Sequence, residues 1–164
     1  MITLEKVARE DQYILHNLMQ FYIYEFSKYL TSIKLESNGS YMPFQLEDYW
    51  VEDNLHPFFI KKGEEFIGFA LVESESLLSP NTIHEFFIIA KYKGRGFGKI
   101  AAKELFYLFP GNWKITQVHK NYPAQAFWRG LLFNLTEGNV KESYDKERRS
   151  VQEFHTDSIK SNEE

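Results

Sequence analysis

The stretch Tyr92-Lys93-Gly94-Arg95-Gly96-Phe97-Gly98-Lys99 decides how this chain is read. Three glycines alternate with larger residues, and Lys91, Lys93, Arg95 and Lys99 surround them with positive charge. The segment before it, IHEFFIIA over Ile83–Ala90, has the apolar and aromatic composition of a strand. The segment after it, KIAAKELFYLF over Lys99–Phe109, reads as a helix. A strand that runs into a helix leaves the helix's first amide hydrogens without intrahelical acceptors. Aligned peptide dipoles add roughly half a positive charge at that end. Anions bind such ends, and glycines let a bulky phosphate approach the backbone. The physical reading is a cradle for a phosphate or pyrophosphate. The alternative is a glycine-rich turn that holds no ligand.

Two common phosphate loops fail on these residues. A Walker loop needs Ser or Thr after its Gly-Lys pair, and Ile100 follows Gly98-Lys99 here. The dinucleotide fingerprint is G-x-G-x-x-G, whereas the spacing here is G-x-G-x-G with no acidic residue closing a following strand.

The 164 residues suit one domain with a substantial core. There is no cysteine, so disulfides, thiolate metal sites and a cysteine nucleophile are excluded. That absence fits a reducing cytoplasm, which is the expected location. No run approaches the roughly 18 apolar residues of a membrane span. The opening MITLEKVARE lacks the basic-then-apolar pattern of a signal peptide. A net charge of −4 disfavours generic nucleic-acid binding and suits a neutral or cationic small partner.

Along the chain, ITLEKV alternates as a first strand. Leu15, Leu18, Met19, Tyr22, Phe26 and Tyr29 then recur at helical spacing. A loop over residues 31–42 leads to PFQLEDYW, read as a short helix entered at Pro43. Phe58–Lys61 and Phe66–Val72 form a hairpin about Lys62-Gly63-Glu64. Ile83–Ile89 is apolar enough to be a central strand covered on both faces. The helix after the glycine loop stops at Phe109-Pro110-Gly111-Asn112. WKITQVH is a further strand, and NYPAQAFWRGLLF a helix with Ala124, Phe127, Trp128, Leu131 and Leu132 on one stripe. Gly138–Tyr144 and Ser150–His155 close the fold as a hairpin about Asp145–Arg149. Residues 1–157 are expected to be a single domain and residues 158–164 a frayed tail.

With strand, loop and helix in place, Lys93-Gly94-Arg95-Gly96-Phe97-Gly98 resembles the [Q/R]-x-x-G-x-[G/A] pyrophosphate loop of the GNAT family of N-acetyltransferases. Lys93 stands where that family usually has Gln or Arg. Downstream, Asn121-x-x-Ala124-x-x-Phe127-Trp128 is similar to the family's N-x-x-A-x-x-F-Y segment, again after a strand and at a helix start. The resemblance covers roughly residues 55–135. It implies a mixed α/β (α+β) fold: a twisted, mostly antiparallel sheet of about seven strands flanked by about four helices, with the fourth and fifth strands splayed apart.

The resemblance further implies acetyl-CoA as co-substrate and no metal. Its pyrophosphate would rest on the main chain of Lys93, Gly94, Arg95, Gly96, Phe97, Gly98 and Lys99. Its pantetheine arm would pair with backbone groups of Phe87, Ile88 and Ile89. Asn121 would bond the arm, and Phe127 and Trp128 would pack near the arm and thiol. The reaction is attack of an amine on a thioester carbonyl. It needs a proton acceptor, a donor for the developing oxyanion and a proton for the leaving thiolate. The Ile88 N–H is the expected oxyanion donor. Glu85 is the first candidate for base, because Phe86 and Phe87 beside it should raise its pKa. The alternative is a structural carboxylate. His84 and His119 follow as second candidates. HEFFI is not a zinc helix, since the second histidine is missing and the segment is a strand.

Trp128 departs from the resembled pattern, which has a tyrosine that protonates the thiolate. An indole N–H donates a hydrogen bond but is no practical acid. Water or Tyr122 takes that part, or the thiolate leaves unaided. The expected function is therefore acetyl transfer to a primary amine of a small molecule or of an exposed peptide. The alternative is a non-catalytic module of the same fold that binds CoA. The acceptor is expected on the side of the first helices, where many aromatic rings surround Glu25, Glu47 and Asp48 and would suit a cation. Those rings also read simply as core. A homodimer is the assembly common in the resembled family.

Overall fold

The computed structural model describes residues 1–161. It divides into two compact units, Met1–Glu73 with His84–Ala102, and Ser74–Ile83 with Lys103–Glu164.

The first unit opens with β1 (Ile2–Lys6) and α1 (Gln12–Phe26), then β2 (Leu55–Lys62) and β3 (Glu65–Glu73). β1 pairs antiparallel with β2, and β2 with β3, about the turn at Gly63. The middle of β2 and most of β3 are buried, and the apolar stripe of α1 packs on one face of the sheet there. Leu15 and Met19 from α1 meet Phe59, Phe69, Leu71 and Phe87 in one cluster, closed by Val7 and Leu46. The aromatic rings of Tyr22, Phe69 and Phe87 contact one another at 5.6–5.8 Å between centroids. Tyr29, expected on the α1 stripe, lies beyond the end of that helix.

The segment expected to form a helix from Pro43 has no regular structure over residues 43–46 and then makes a single 3-10 turn at Glu47–Trp50. Tyr49 N–H bonds back to Leu46 at 3.0 Å, and Trp50 donates its indole N–H to the Val7 carbonyl at 2.9 Å. The chain is anchored by its large side chains, so the run of acids needs no second turn of helix. The α-helices number three among the described residues, against the four expected.

β4 (Asn81–Ile88) contributes to both units. In the second unit it is followed by α2 (Phe97–Leu108), β5 (Asn112–Gln117), α3 (Tyr122–Thr136), β6 (Lys141–Tyr144) and β7 (Ser150–His155), although α2 starts in the first. The strand order is β1-β2-β3-β4-β5-β7-β6. β5 runs antiparallel to β7 and β7 to β6, while β4 runs parallel to β5. The registered β4–β5 pairs are Asn81↔Trp113 and Thr82↔Lys114, although β4 continues to Ile88 and β5 to Gln117. So short a ladder is what a splayed pair of strands leaves. β4 is not covered uniformly: Asn81, Ile83, Phe87 and Ile88 are buried, while His84 is exposed and holds a charged partner.

Phe106, Trp113 and Phe154 stack edge to face at 5.0–5.1 Å in the core of the second unit, with the Trp113 indole N–H on the Phe109 carbonyl. Asp145 holds the β6–β7 turn by accepting from the backbone of Glu147 and Arg149 at 2.9 Å each. Of the expected loose tail, Ile159 and Lys160 donate to the Thr156 and Leu135 carbonyls, and residues 162–164 lie outside the described residues.

Candidate active site

The glycine loop lies in the first unit. Ala90–Tyr92 forms a 3-10 turn after β4, and α2 begins at Phe97. Gly94 and Gly96 have φ of +77° and +82°, the left-handed region that side-chain-bearing residues enter at a cost. No atom lies within 4 Å of where a Cβ would stand on either. The first N–H of α2 to bond backward is that of Ile100, to Gly96 at 3.2 Å. The N–H groups of Phe97, Gly98 and Lys99 therefore have no intrahelical acceptor. Lys93 is paired with Glu25 of α1 and stands over the Phe87 ring. Lys91 lies 3.8 Å from Glu65, and Arg95 stacks 5.6 Å above the Tyr92 ring. An exposed main-chain loop with N–H groups left without intrahelical acceptors, flanked by Arg95 and Lys99, suits a diphosphate.

Directly upstream, the backbone of β4 has a defined polarity. Ile89 N–H donates to the Ile67 carbonyl of β3 at 2.8 Å. The Phe87 carbonyl is directed toward Gly68 of β3, since a Cβ on Gly68 would fall 1.9 Å from its oxygen. Across a trans peptide, the carbonyl and the following N–H point in opposite directions. The Ile88 N–H is thus directed away from β3. Ile89 cannot offer its own N–H to a ligand, because Ile67 already receives it.

Glu85 is partly buried on the same strand. Tyr22 of α1 donates its hydroxyl to the Glu85 Oε2 in a short hydrogen bond. Burial pushes the carboxyl up to about 7, and the Tyr22 bond opposes that rise without cancelling it. Burial likewise raises the Tyr22 hydroxyl well above its usual value, and the Glu85 charge adds to this. Tyr49 is raised by burial first, then by the charges of Glu85 and Glu73. His84 sets its Nε2 2.7 Å from the Glu73 Oε2.

Glu85 also lines a cavity of about 620 Å³ whose walls include Tyr49, Glu52, Glu73 and His84. The acids expected near the acceptor are largely occupied elsewhere, Glu25 by Lys93 and Glu47 by Arg9. Glu52 and Glu73 line the cavity instead. Neither stood out in the sequence, because one follows the 3-10 turn and the other ends a strand. The Tyr22–Glu85 contact was foreshadowed only by Tyr22 falling on the buried face of α1.

The remaining candidates lie in the second unit. Asn121 caps α3, its side-chain oxygen accepting from Ala124 N–H at 3.3 Å, so its side-chain amide group alone remains to donate outward. Trp128 is buried and meets the Phe127 ring edge to face at 4.9 Å. Tyr122 is exposed at the start of α3. Glu85, Phe87, Ile88, Ile89 and the loop thus share one unit, and Asn121, Phe127 and Trp128 share the other. Among the described residues, no cluster of three or more His, Asp or Glu side chains is arranged to hold a metal, and no helix is long and apolar enough to cross a membrane.

Solved structures share this architecture. An acetyltransferase from Thermus thermophilus aligns with a TM-score of 0.70 at 16% identity, covering 94% of this chain and 97% of that one. The ribosomal-protein-S18-alanine N-acetyltransferase from Escherichia coli aligns at 0.63 and 12% identity, covering 100% and 99%. The spermidine/spermine N-acetyltransferase from Vibrio cholerae, solved with manganese ions, aligns at 0.58 and 13% identity, covering 94% and 92%. No curated protein matches by sequence. The model of the acetyltransferase (GNAT) family matches residues 19–132, from within α1 through the glycine loop to the buried stripe of α3. With well over half of its length so matched, the chain belongs to the GNAT acetyltransferase family.

Proposed function

We propose that residues 1–157 act as one acetyl-CoA-dependent N-acetyltransferase domain that moves an acetyl group to a primary amine by direct attack. The observation that carries this reading is on β4: a carboxyl held near 7 at Glu85, and a main-chain N–H at Ile88 directed away from β3. Acetyl-CoA supplies the activated acyl group. Lys93, Gly94, Arg95, Gly96, Phe97, Gly98 and Lys99 form the cradle for its diphosphate, chiefly through main-chain donors. The pantetheine arm lies along Phe87, Ile88 and Ile89 and pairs chiefly with Ile88, since the Phe87 carbonyl faces β3 and Ile89 gives its N–H to Ile67 and its carbonyl to Tyr92. Asn121 donates to the same arm, and Phe127 and Trp128 supply apolar walls.

An aliphatic amine arrives as an ammonium with a pKa near 10.4 and cannot attack until it loses a proton. Glu85 accepts that proton, directly or through one water. The C–N bond forms, the C–S bond breaks, and the thiolate takes a proton from solvent or from Tyr122. The Ile88 N–H holds the oxygen on which charge develops. A cysteine-free chain supports action in the cytoplasm, and a homodimer is the assembly to test by sedimentation.

Trp128 keeps a second reading in play, a CoA-binding module without turnover, since an indole cannot replace an acidic hydroxyl. Thiol release from acetyl-CoA in the presence of an amine library separates the two. Turnover supports the transferase. A rise in melting temperature with CoA, with no thiol released by any amine, supports the module.

A further inference from the structure

One buried atom in the second unit is left over by the fold. Gln117, the last residue of β5, is 5% exposed, and its Oε1 accepts from no donor among the described residues. Its Nε2 donates to the Gln152 Oε1 of β7 at 2.7 Å. Gln152 passes its own Nε2 to the Ser150 Oγ at 3.0 Å, and Arg129 of α3 donates to the same oxygen at 3.1 Å. This chain of polar groups is complete at the arginine end and open at Gln117. The other buried side-chain atom without a hydrogen bond among the described residues, the Arg129 Nε, has the Glu142 carboxylate 3.3 Å away. A buried carbonyl without a donor destabilises a fold, and native interiors keep few of them.

Building on the acetyl-CoA reading above, we infer that Gln117 is a further binding residue, whose side-chain carbonyl accepts an amide N–H of the pantetheine arm. That arm carries two secondary amides, each with one N–H and one carbonyl. β5 pairs with β4 only as far as Thr82↔Lys114, and Gln117 stands three residues further on. Asn121, assigned to the arm above, follows four residues later. Its side-chain oxygen is taken by the Ala124 N–H, so it has only donors to offer. Gln117 turns its amino group to Gln152 and has its oxygen to offer. Together they present the two complements that secondary amides require.

The turn between them is built to hold this arrangement. Lys120 sits at φ +74°, the left-handed region that a lysine enters at a cost. Gln125, also 5% exposed, donates its Nε2 to the Val118 carbonyl at 3.1 Å, and the Asn121 N–H reaches the same oxygen at 3.2 Å. A strained turn clamped by a buried side chain fixes Asn121 relative to β5. The rival donors for Gln117 are an enclosed water and the acceptor amine. The arm's amides keep their hydrogens through the reaction, whereas the amine loses protons as it reacts.

The test is a thermodynamic cycle read by calorimetry. The ligands are CoA, two CoA analogues in which one or the other arm N–H is replaced by an ester oxygen, and the 3′-phosphorylated ADP half of CoA, which has no arm. In Gln117→Met the penalty for one ester should shrink about threefold to tenfold relative to the parent protein, the worth of one neutral hydrogen bond. The penalty for the other ester and the affinity for the ADP half should stay as they were. Should Gln117→Met fail to fold, Gln117→Met combined with Gln152→Met replaces both bonded amides by apolar groups of similar length, an exchange close to neutral for the fold.

Ester penalties that are the same in parent and variant overturn the assignment and leave the oxygen to an enclosed water. A variant that raises KM for the amine while both ester penalties stand gives the oxygen to the acceptor and overturns it too. In either case thiol release by an amine keeps the transferase reading. The expected coupling, with no thiol released by any amine, supports Gln117 and overturns the transferase. A parent protein that binds neither CoA nor its ADP half overturns both.

Discussion

The carbonyl oxygen of Phe87 fills the space that a side chain on Gly68 would need: a Cβ there would lie 1.9 Å from the oxygen and 2.9 Å from its carbon. Gly68 is thus the one residue type at its position on β3 that admits the present orientation of the Phe87–Ile88 peptide. Gly68→Ala must rotate or push that peptide, and the Ile88 N–H turns with it. We expect kcat to fall by about a hundredfold, the low end of the cost of losing an oxyanion donor. Affinity for CoA, which lacks the acetyl oxygen, should stay within a few fold by calorimetry. A variant that merely unfolds more easily would lower the melting temperature and leave the rate per folded molecule intact.

Glu85→Gln removes the proton acceptor. The rate near neutral pH should fall about a hundredfold or more. In the parent protein kcat/KM should rise with pH and level off above about 7, where the carboxylate is formed. That inflection should vanish in the variant, and a pH–rate profile that keeps it would remove Glu85 from the chemistry.

The same carboxyl makes a stability prediction. Its folded value of about 7 lies above the ordinary 4.5, so the folded state holds its proton longer than the unfolded chain does. Stability from this group is full below about 4.5 and is lost as pH rises to about 7. The loss is of the order of 3 kcal/mol at most. Glu85→Gln should flatten that decline in the melting temperature measured across pH, and a parallel curve would count against a buried, raised carboxyl.

Tyr22→Phe deletes the donor that lowers the Glu85 value against the effect of burial. The kinetic inflection should move to higher pH. The rate at pH 7 should drop severalfold and recover at alkaline pH. A drop that persists at every pH would assign Tyr22 some part other than tuning Glu85.

Gly96→Val places a branched side chain at φ +82°, which costs about 1–2 kcal/mol of backbone strain. Because the surrounding space is open, the fold should survive. The melting-temperature rise with CoA should disappear while circular dichroism stays unchanged. A preserved rise would detach the loop from the ligand.

Much of this was legible in the sequence, for physical reasons. Alternating residues gave β1 and the β2–β3 hairpin, and the three-and-four spacing of Leu15, Met19 and Tyr22 gave α1. Glycines at 94 and 96 announced positive φ because other residues avoid it. The segment at Pro43 misled because its composition suits a helix, while Trp50 and Leu46 are fixed by tertiary contacts. The cavity beside Glu85 was hidden because Glu52, Glu73 and Glu85 are far apart along the chain and line one space only once this unit is folded. Gly68 was silent for the same reason, since a close approach between strands leaves no local pattern.

The ion pairs around the glycine loop bear on how ionic strength acts. Lys93 is already matched by Glu25 and Lys91 lies near Glu65, so Arg95 and Lys99 are the cations there without a carboxylate among the described residues. Arg95 and Lys99 then act together with the peptide dipoles of an exposed loop, and dissolved ions screen both. Capture of the nucleotide half of the co-substrate should consequently weaken as ionic strength rises, with the dependence expected of two free cations rather than four.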